Sequence, residues 1–337
     1  MITLKDISKR VGKSITTVSR ALNDYDDVNP ETKKMIQGVA EEMGYRPNII
    51  AQRLQKQKTD TIGFIVPTFG PRFSDPFFSE LLAGVGNLAS DLGFDLLVST
   101  QPPGEKEYKA YHKMMDGRRV DGFIIVRTRR KDNRINDLLK RDFPFTVFGR
   151  MEGPNDFPYV DEDGAYGMRQ IADHLVSLGH TRIGCIAPDP DLMFAATRLK
   201  GLKDGLAAHS IPLNGSMHKI GDLTQKGGYL QCKSLMRESN PPTAIVACND
   251  LMALGAISAV QDLGLEVGKD ITITGFDDIP LAEYSHPPLT TVHQPIYQIG
   301  GMVCEMLIKI IMDQELERKH ILLKPSLIIR ESSGKKQ

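Results

Sequence analysis

The stretch TLKDISKRVGKSITTVSRALN, Thr3 to Asn23, has the pattern of two short helices separated by a glycine. Its apolar residues recur three and four positions apart, which predicts an amphipathic helix over Leu4 to Val11 with Thr3 as its N-cap. Gly12 ends this helix, and Ser14 is placed to cap a second one. The sequence therefore predicts a helical hairpin, which is either the edge of a larger fold or a unit with a function of its own.

The second predicted helix has an apolar face and a polar face that is short and rich in hydroxyl groups. Polar side chains at the start of a helix reach base edges and phosphates when the helix lies in the major groove of DNA. The hairpin therefore has the pattern of a helix-turn-helix. Its polar face consists of Thr16, Thr17, Ser19 and Arg20.

The hairpin resembles the opening of the lactose-repressor (LacI/GalR) family of bacterial transcription regulators, through T-L-x-D-I followed by G-x-S-x-x-T-V-S-R-x-L-N. The resemblance implies that Ile15 and Thr16, with Ser19 or Arg20, carry much of the base and phosphate reading. Three residues depart from the usual family pattern, namely Ser8, Val11 and Lys13, and they affect the pose of the second helix. The full set of implied DNA contacts in the hairpin is Thr3, Ser14, Ile15, Thr16, Thr17, Ser19, Arg20 and Asn23.

A third helix and a short hinge are predicted after the hairpin. Asn29 and Pro30 have the pattern of an N-cap and a first helical residue, and Gly44 ends that helix. The segment 48–54 is too short to form a stable helix alone in water, so we expect it to fold only when docked. Its pattern Y-x-P-N-x-x-A-x-x-L matches the family hinge, which implies DNA contacts; an ordinary polar linker is the alternative. The implied contacts are Asn48, Ala51 and Leu54, with Leu54 as a wedge in the minor groove.

Length and charge set limits on the whole chain. Its 337 residues exceed one typical domain, and 41% hydrophobic content is ordinary for a globular protein. Residues 1–58 hold eleven Lys or Arg and seven Asp or Glu, so they carry +4 and the remainder carries −4. The four cysteines form no C-x-x-C pair, no signal peptide opens the chain, and no apolar run spans a membrane. We therefore expect a cytoplasmic protein with no membrane partner and with a basic end suited to DNA.

From Thr61 onward, short apolar runs alternate with amphipathic helices in a βαβαβ pattern. The runs are nearly continuous in Ile, Leu, Val and Phe, which suits parallel sheets covered on both faces. They number too many for one sheet, so two successive α/β subdomains are predicted. The predicted fold class is thus an N-terminal all-α helix-turn-helix headpiece plus an α/β two-lobed core.

The core resembles the same family, which shares its fold with periplasmic sugar-binding proteins. The resemblance rests on six motifs, and it implies that the chain crosses between lobes near 160–163, 291–295 and 323–326. The motifs are D-P-F-F at 75–78, G-H-x-R-I-G at 179–184, R-x-x-G at 198–201, N-D-x-M-A-L-G-A at 249–256, G-F-D-D at 275–278 and P-P-L-T-T-V-H-Q-P at 287–295. The predicted domains are a headpiece at 1–46, a hinge helix and linker at 47–59, a first lobe at 60–160 with 292–323, a second lobe at 161–291 with 324–332, and a tail at 333–337.

A ligand in such a fold lies at the carboxyl ends of strands, in the crevice between lobes. Carboxylate, guanidinium and amide groups held there recognise vicinal hydroxyls. Arg198 is expected to open a helix, and Arg127 begins a basic run whose alternative is a solvated surface. Phe77, with Phe73 and Phe78, either stacks on a sugar ring or belongs to the core. The ligand residues implied by the resemblance are Phe77, Arg127, Asp161, Arg198, Asn249, Asp277 and Gln294.

Enzyme motifs fail when they are placed on the predicted elements. Gly12-Lys13-Ser14 lacks the first glycine of a phosphate-binding loop and follows a helix. Gly84 to Ala89 imitates a dinucleotide fingerprint but lies inside a predicted helix, so we interpret it as close helix packing. The histidines have no metal spacing, and structural hydrogen bonds are the interpretation for His180 and His293. We predict no enzyme, no cofactor and no metal site.

Headpiece, hinge and two-lobed core in this order predict a ligand-controlled repressor. A two-fold dimer aligns two recognition helices with two half-sites, so we expect a homodimer on a pseudo-palindromic operator, with a tetramer left open. The two acidic ligand residues favour a neutral sugar as effector, and family resemblance favours release from DNA. The run 126–134 resembles that of α-glucoside regulators. Alternatives are a purine or other small corepressor, a sugar receptor that binds no DNA, and a sugar-modifying enzyme.

Overall fold

The computed structural model describes residues 2–46, 58–68 and 75–335. The chain divides into two compact units, Met1–Thr59 and Asp60–Gln337. The predicted hinge contacts at Asn48, Ala51 and Leu54, and the predicted ring at Phe73, lie outside the described residues.

Residues 2–46 of the first unit contain three helices, α1 (Leu4–Val11), α2 (Ile15–Leu22) and α3 (Pro30–Glu42). Each begins at the predicted cap, because Ser14 accepts a hydrogen bond from the Thr17 amide and Asn29 accepts one from the Glu31 amide. Thr3 caps α1 and donates its amide and hydroxyl to Asp6. The helices share a small apolar core of Ile7, Val18, Ala21, Val28, Ile36 and Ala40.

The second unit alternates strands and helices. Its strands are β1 (Thr61–Pro67), β2 (Asp95–Gln101), β3 (Gly122–Ile125), β4 (Phe145–Phe148), β5 (Tyr159–Glu162), β6 (Ile183–Ala187), β7 (His218–Ile220), β8 (Ala244–Ala247), β9 (Thr272–Thr274), β10 (Thr291–His293), β11 (His320–Leu323) and β12 (Ser326–Ile328). Its helices are α4 (Pro76–Asp91), α5 (Glu105–Asp116), α6 (Asn133–Lys140), α7 (Gly164–Ser177), α8 (Met193–Ala208), α9 (Gln225–Leu235), α10 (Asp250–Asp262), α11 (Pro280–Glu283) and α12 (Ile296–Ile311).

The first lobe contains a parallel sheet in the order β11-β5-β4-β3-β1-β2. Strand β1, which lies between β3 and β2, is buried along its whole length, because helices cover both faces. Phe64 faces α4 and α12, whereas Ile65 faces α5 and α6. This two-sided burial explains the continuous apolar runs of the sequence.

The second lobe contains a parallel sheet in the order β7-β6-β8-β9, and β10 and β12 form a separate antiparallel pair. The late strand β11 pairs with β5, so the end of the chain returns to the first lobe before it reaches β12. The two-lobed α/β architecture confirms the predicted fold class, while the exact domain bounds stay predictions. All four cysteines are buried free thiols.

Four helices and one strand of the core were not predicted, namely α6, α9, α11, α12 and β7. Helix α12 is mostly buried, with Gln298 and Glu305 on its exposed side. It packs closely against α4, where an added Cβ atom at Gly84 would overlap the Tyr297 carbonyl and one at Gly300 would overlap the Leu81 carbonyl. The interpretation of Gly84 to Ala89 as close helix packing is therefore confirmed.

Within residues 2–46, 58–68 and 75–335, no helix is long and apolar enough to cross a membrane. The same part of the chain holds no group of His, Cys, Asp or Glu arranged for a metal ion. His180 hydrogen bonds to Thr243 and to the Gly334 carbonyl, and His293 bonds to Asp278.

Candidate functional site

The start of α2 presents a shallow depression at the headpiece surface. Ile15, the first residue of α2, is 46% exposed although it is apolar, whereas Val18 and Ala21 further along the helix are fully buried in the headpiece core. An exposed aliphatic side chain beside hydroxyls suits contact with a thymine methyl group and base edges. The depression is lined by Leu4, Ile15, Thr16, Ser19, Arg20 and Tyr25.

Several predicted DNA contacts also hold the headpiece together. The Ser14 hydroxyl lies 2.8 Å from that of Thr17, and the Asn23 side chain donates to the Ser19 carbonyl at 2.9 Å. Arg20 forms a two-point ion pair with Asp27, with contacts of 3.0 and 2.6 Å, and both side chains are about half exposed. The guanidinium group is therefore oriented before any ligand arrives, yet it stays accessible.

A cleft of about 730 Å³, including space open to solvent, lies between the two lobes of the core. All seven sequence-predicted ligand residues line it, although they are spread over more than 200 positions of the sequence. They are Phe77, Arg127, Asp161, Arg198, Asn249, Asp277 and Gln294. The cleft is therefore the place where the predicted residues meet.

Arg198 is the centre of the polar wall of the cleft. It does not open a helix as predicted, because α8 begins at Met193 and places Arg198 in its second turn. From there one terminal nitrogen donates to Asp277 at 3.1 Å and to the Cys248 carbonyl at 2.6 Å, and the other donates to Glu162 at 3.0 Å. The guanidinium also lies 3.5 Å from the centre of the Phe276 ring.

Two carboxyl groups compete for Arg198 in a buried site. Burial raises the pKa of Glu162 to about 7, although Arg198 lowers it, and Asp161 raises it further. Burial likewise raises the pKa of Asp277 to about 6 against the opposing effect of Arg198. Asp277 also has a φ of +119°, a backbone conformation that costs free energy in a non-glycine residue. Strained backbone and shifted pKa values cluster at functional sites, which makes this part of the cleft a candidate site.

Arg127 is an ion-paired residue of the cleft wall. It is 14% exposed, donates to Asp75 at 2.7 Å and lies over the Phe78 ring at 4.6 Å. The alternative of a solvated basic run is therefore wrong for Arg127. On the opposite edge, Arg150 donates to Asp161 at 2.6 Å.

Aromatic rings form the apolar wall of the cleft. Phe77 and Phe148 are stacked, with ring centres 5.9 Å apart and an angle of 14° between their planes. Phe78 is instead buried in the first-lobe core. Phe78 therefore belongs to the core, whereas Phe77 lines the cleft beside that core and its contact with a sugar ring stays a prediction.

Asn249 and Gln294, the two amide side chains of the cleft, differ in their hydrogen bonds. Asn249 caps α10 through the Met252 amide and donates to the Leu223 carbonyl, so it is occupied within the second lobe. Gln294 donates to Asp277 at 2.7 Å, and its carbonyl oxygen has no hydrogen-bond partner among the described residues. Gln294 thus has an acceptor to offer where Asn249 does not.

Two protein-family models match this chain, one in the headpiece and one in the core. Residues 3–48 match the domain described as bacterial regulatory proteins, lacI family, and residues 172–333 match a periplasmic binding protein-like domain. The HTH-type transcriptional regulator AglR of Rhizobium meliloti (strain 1021) is 34% identical over 99% of this chain and 94% of its own length. The chain belongs to the LacI family.

Solved structures of LacI-family regulators extend the likeness to the fold. The Lac repressor dimer bound to operator and the anti-inducer ONPF has a TM-score of 0.84 and 28% identity, covering 98% of each chain. A complex of the transcriptional regulator CelR with cellobiose has a TM-score of 0.76 and 29% identity, covering 98% of this chain and 100% of that one. As a LacI-family member, the chain is a DNA-binding transcription regulator, and its family consists of regulators rather than enzymes.

The departures from the LacI-family pattern have a structural role in the headpiece. The Ser8 hydroxyl donates to the Lys13 carbonyl at 2.6 Å, across the turn between α1 and α2. Val11 packs against the headpiece core. These two residues therefore fix the turn that positions α2.

Four of the cleft residues that sequence reasoning missed take part in the contacts described above, and each has a signal in the sequence. Phe148 and Arg150 end or follow β4, and Glu162 ends β5, so the strand-end rule identifies all three when it is applied to every strand. Asp75 precedes Pro76 and accepts from the Phe77 amide as the N-cap of α4, which is a signal that local capping rules recognise.

Proposed function

We propose that this LacI-family regulator is a homodimeric repressor of carbohydrate-utilisation genes, released from a pseudo-palindromic operator by an uncharged sugar. The observation that carries the proposal is the cleft itself. A buried Arg198 shared by Asp277 and Glu162 faces a wall of stacked phenylalanines. Sites that bind sugars need such a combination, because a sugar has both polar hydroxyls and apolar C–H faces.

The charges of the cleft favour a neutral ligand. Each arginine that lines it has a carboxylate partner within 3.1 Å, namely Asp75 for Arg127, Asp161 for Arg150, and both Glu162 and Asp277 for Arg198. No guanidinium among the described lining residues is left over for a phosphate. A strongly anionic ligand would also meet four carboxyl groups in a low-dielectric site.

Three buried polar atoms of the cleft residues have no partner among the described residues. They are the second carboxyl oxygen of Glu162, the Nε of Arg198 and the carbonyl oxygen of Gln294. A hydroxyl both donates and accepts, so a pair of vicinal hydroxyls satisfies such a mixture of donor and acceptors. Leaving these groups without hydrogen bonds costs free energy, which a ligand with matching hydroxyl groups recovers.

The proposed effector class is an α-glucoside, and the proposed contacts follow from both halves of the molecule. The run 126–134, which resembles that of α-glucoside regulators, contributes Val126, Arg127 and Thr128 to the cleft.

In the headpiece, we assign base reading to Ile15, Thr16, Ser19 and Arg20, and support of the DNA backbone to Thr3, Ser14, Thr17 and Asn23. Asn48, Ala51 and Leu54 complete the proposed DNA contacts.

The test combines an operator selected from random duplexes with a sugar panel. Anisotropy of the labelled operator is measured with the full chain and with maltose, sucrose, trehalose, glucose 6-phosphate or hypoxanthine. We expect an α-glucoside to weaken operator binding and glucose 6-phosphate to leave it unchanged. Thermal shift provides a second readout, since a ligand at 100 times its Kd stabilises by about 2.7 kcal/mol.

The alternatives give different results in the same experiment. Tighter operator binding with hypoxanthine identifies a corepressor, and no selected operator in any ligand state contradicts the repressor proposal. Sugar consumed during incubation identifies an enzyme. Leu54→Ala separates the hinge from the cleft, because it should weaken operator binding and leave the sugar-induced thermal shift intact.

A further inference from the structure

The two lobes are joined by backbone hydrogen bonds in addition to the chain crossings. The Arg130 amide donates to the Asp191 carbonyl at 2.8 Å, and the Met193 amide donates to the Thr128 carbonyl at 2.9 Å. Arg129 and Leu192 face each other between these bonds as an antiparallel bridge. The segments 128–130 and 191–193 thus form a miniature sheet across the cleft, called the latch below.

The first-lobe side of the latch is held rigidly. The Arg129 amide donates to Asp132 at 3.0 Å, and its guanidinium donates to Glu107 at 2.7 Å. Both acids are also bound by Arg134, and all three side chains of this cluster are at least 97% buried. A satisfied ionic network of this kind fixes local geometry, and the proposed sugar contacts make no use of it. The segment 128–130 is therefore presented in its bonded shape.

The second-lobe side connects the latch to the ligand site. Met193 is the first residue of α8, and the amides of the first helical turn have no partner inside the helix. The Thr128 carbonyl satisfies the Met193 amide from the other lobe. One turn further along the same helix, Arg198 bonds to Glu162 and Asp277. Any separation of the latch therefore moves the helix that carries Arg198.

We propose that 128–130 and 191–193 act as a positioning latch, which sets the proportion of molecules with a closed cleft through backbone groups alone. Each backbone hydrogen bond contributes little net free energy, because water replaces it on opening. Two such bonds bias the lobes without locking them, which a cleft that admits and releases a ligand requires. When only a fraction of the molecules is in the binding-competent state, the apparent affinity for the ligand falls by that fraction. The latch therefore tunes the effector response without requiring a side-chain contact to the effector.

Met193→Pro removes one latch bond and preserves the helix. Proline is favoured at the first helical position, and Leu192 already has the extended backbone that a residue before proline adopts. The ring carbon replaces the hydrogen that faces the Thr128 carbonyl, so the bond is lost. Met193→Ala is the matched control, because it loses the same side chain and keeps the amide. Gln225→Pro, at the first position of α9 in the same lobe, controls for a helix-start proline.

Lobe separation is measured on the full chain without any effector, so the result does not depend on the proposed sugar. Nitroxide labels at Lys140→Cys on α6 and Lys200→Cys on α8 report the distance by pulsed electron resonance, since both positions are exposed and the four native thiols are buried. We expect Met193→Pro to raise the ratio of long to short distances about fivefold, the equivalent of about 1 kcal/mol. Both controls should match the parent protein. A distribution for Met193→Pro that equals that of Met193→Ala overturns the latch.

Hydrogen exchange provides an independent measurement at the second bond. The Arg130 amide exchanges only when the latch opens, so its exchange should become about fivefold faster in Met193→Pro and stay unchanged in Met193→Ala. Unchanged exchange at Arg130 in Met193→Pro would show that the two bonds are not one cooperative unit, and would overturn the proposal.

Discussion

The headpiece and the cleft use their polar residues in opposite ways. In the headpiece, the side chains proposed to read DNA are at the surface, and a separate set of apolar residues holds the unit together. In the cleft, the proposed ligand groups are themselves buried and paired across distant segments. The apolar core of the headpiece is therefore separate from the face proposed to read bases, whereas in the cleft the same buried groups serve both stability and the proposed binding.

The largest effect that tests this contrast is expected at Arg198. Arg198→Met leaves Glu162 and Asp277 buried without their cation, which should lower the free energy of unfolding of the core by about 3–5 kcal/mol. Urea denaturation at pH 8 measures the loss. Arg130→Ala, which breaks the exposed ion pair with Glu152, is the control and should cost about 0–1 kcal/mol. Equal losses for the two variants would remove the distinction between buried and surface pairs.

The next largest effect is expected in the pH dependence of the free energy of unfolding of the core. The pKa of Glu162 is raised above its unfolded value to about 7, so the folded state binds the proton more tightly. Its stabilising contribution is present at low pH and is lost as pH rises from about 4.5 through 7, by about 3 kcal/mol at most. Glu162→Gln should flatten the decline of core unfolding free energy between pH 5 and 8. The same decline in both proteins would show that Glu162 ionises normally.

In the headpiece, Ile15→Ala and Ile7→Ala are the same substitution at an exposed and at a buried position. Ile15 is exposed, so its loss should weaken operator binding by about 1–3 kcal/mol and leave headpiece melting nearly unchanged. Ile7 is fully buried, so its loss should destabilise the headpiece by about 2–5 kcal/mol. Circular dichroism and operator titration separate the two effects. A headpiece that melts lower with Ile15→Ala would contradict the separation of roles.

The smallest expected effect concerns the turn between α1 and α2. Ser8→Ala removes the bond to the Lys13 carbonyl, which should lower headpiece stability by about 0.5–1.5 kcal/mol. Thermal melting of the full chain measures it, with Ser90→Ala on α4 of the core as an exposed serine control. A melting temperature of the headpiece that is identical in both variants would show that the turn does not depend on Ser8.

The same contrast explains how far the sequence predicts the molecule. The starts of the headpiece helices followed from caps and spacing, because Ser14 and Asn29 act on amides two or three residues away. The cleft residues were found through strand ends and family resemblance, yet their pairing was not. Arg198 meets Asp277 and Glu162 across 79 and 36 positions, and no local pattern encodes which partner a buried charge selects. For the same reason Arg127 resembled a solvated charge until Asp75 was placed beside it.

The central claim is that ligand binding in the cleft controls operator binding by the headpiece, although the two functions use separate residues. Operator affinity of the parent chain and of Asp277→Asn, with and without maltose, tests it most directly by fluorescence anisotropy. We predict equal affinity of both proteins without sugar, a loss of at least about tenfold for the parent chain with maltose, equivalent to about 1.4 kcal/mol of coupling, and no change for Asp277→Asn. An Asp277→Asn protein that is still released by the sugar, or that fails to bind the operator in its absence, would contradict the account.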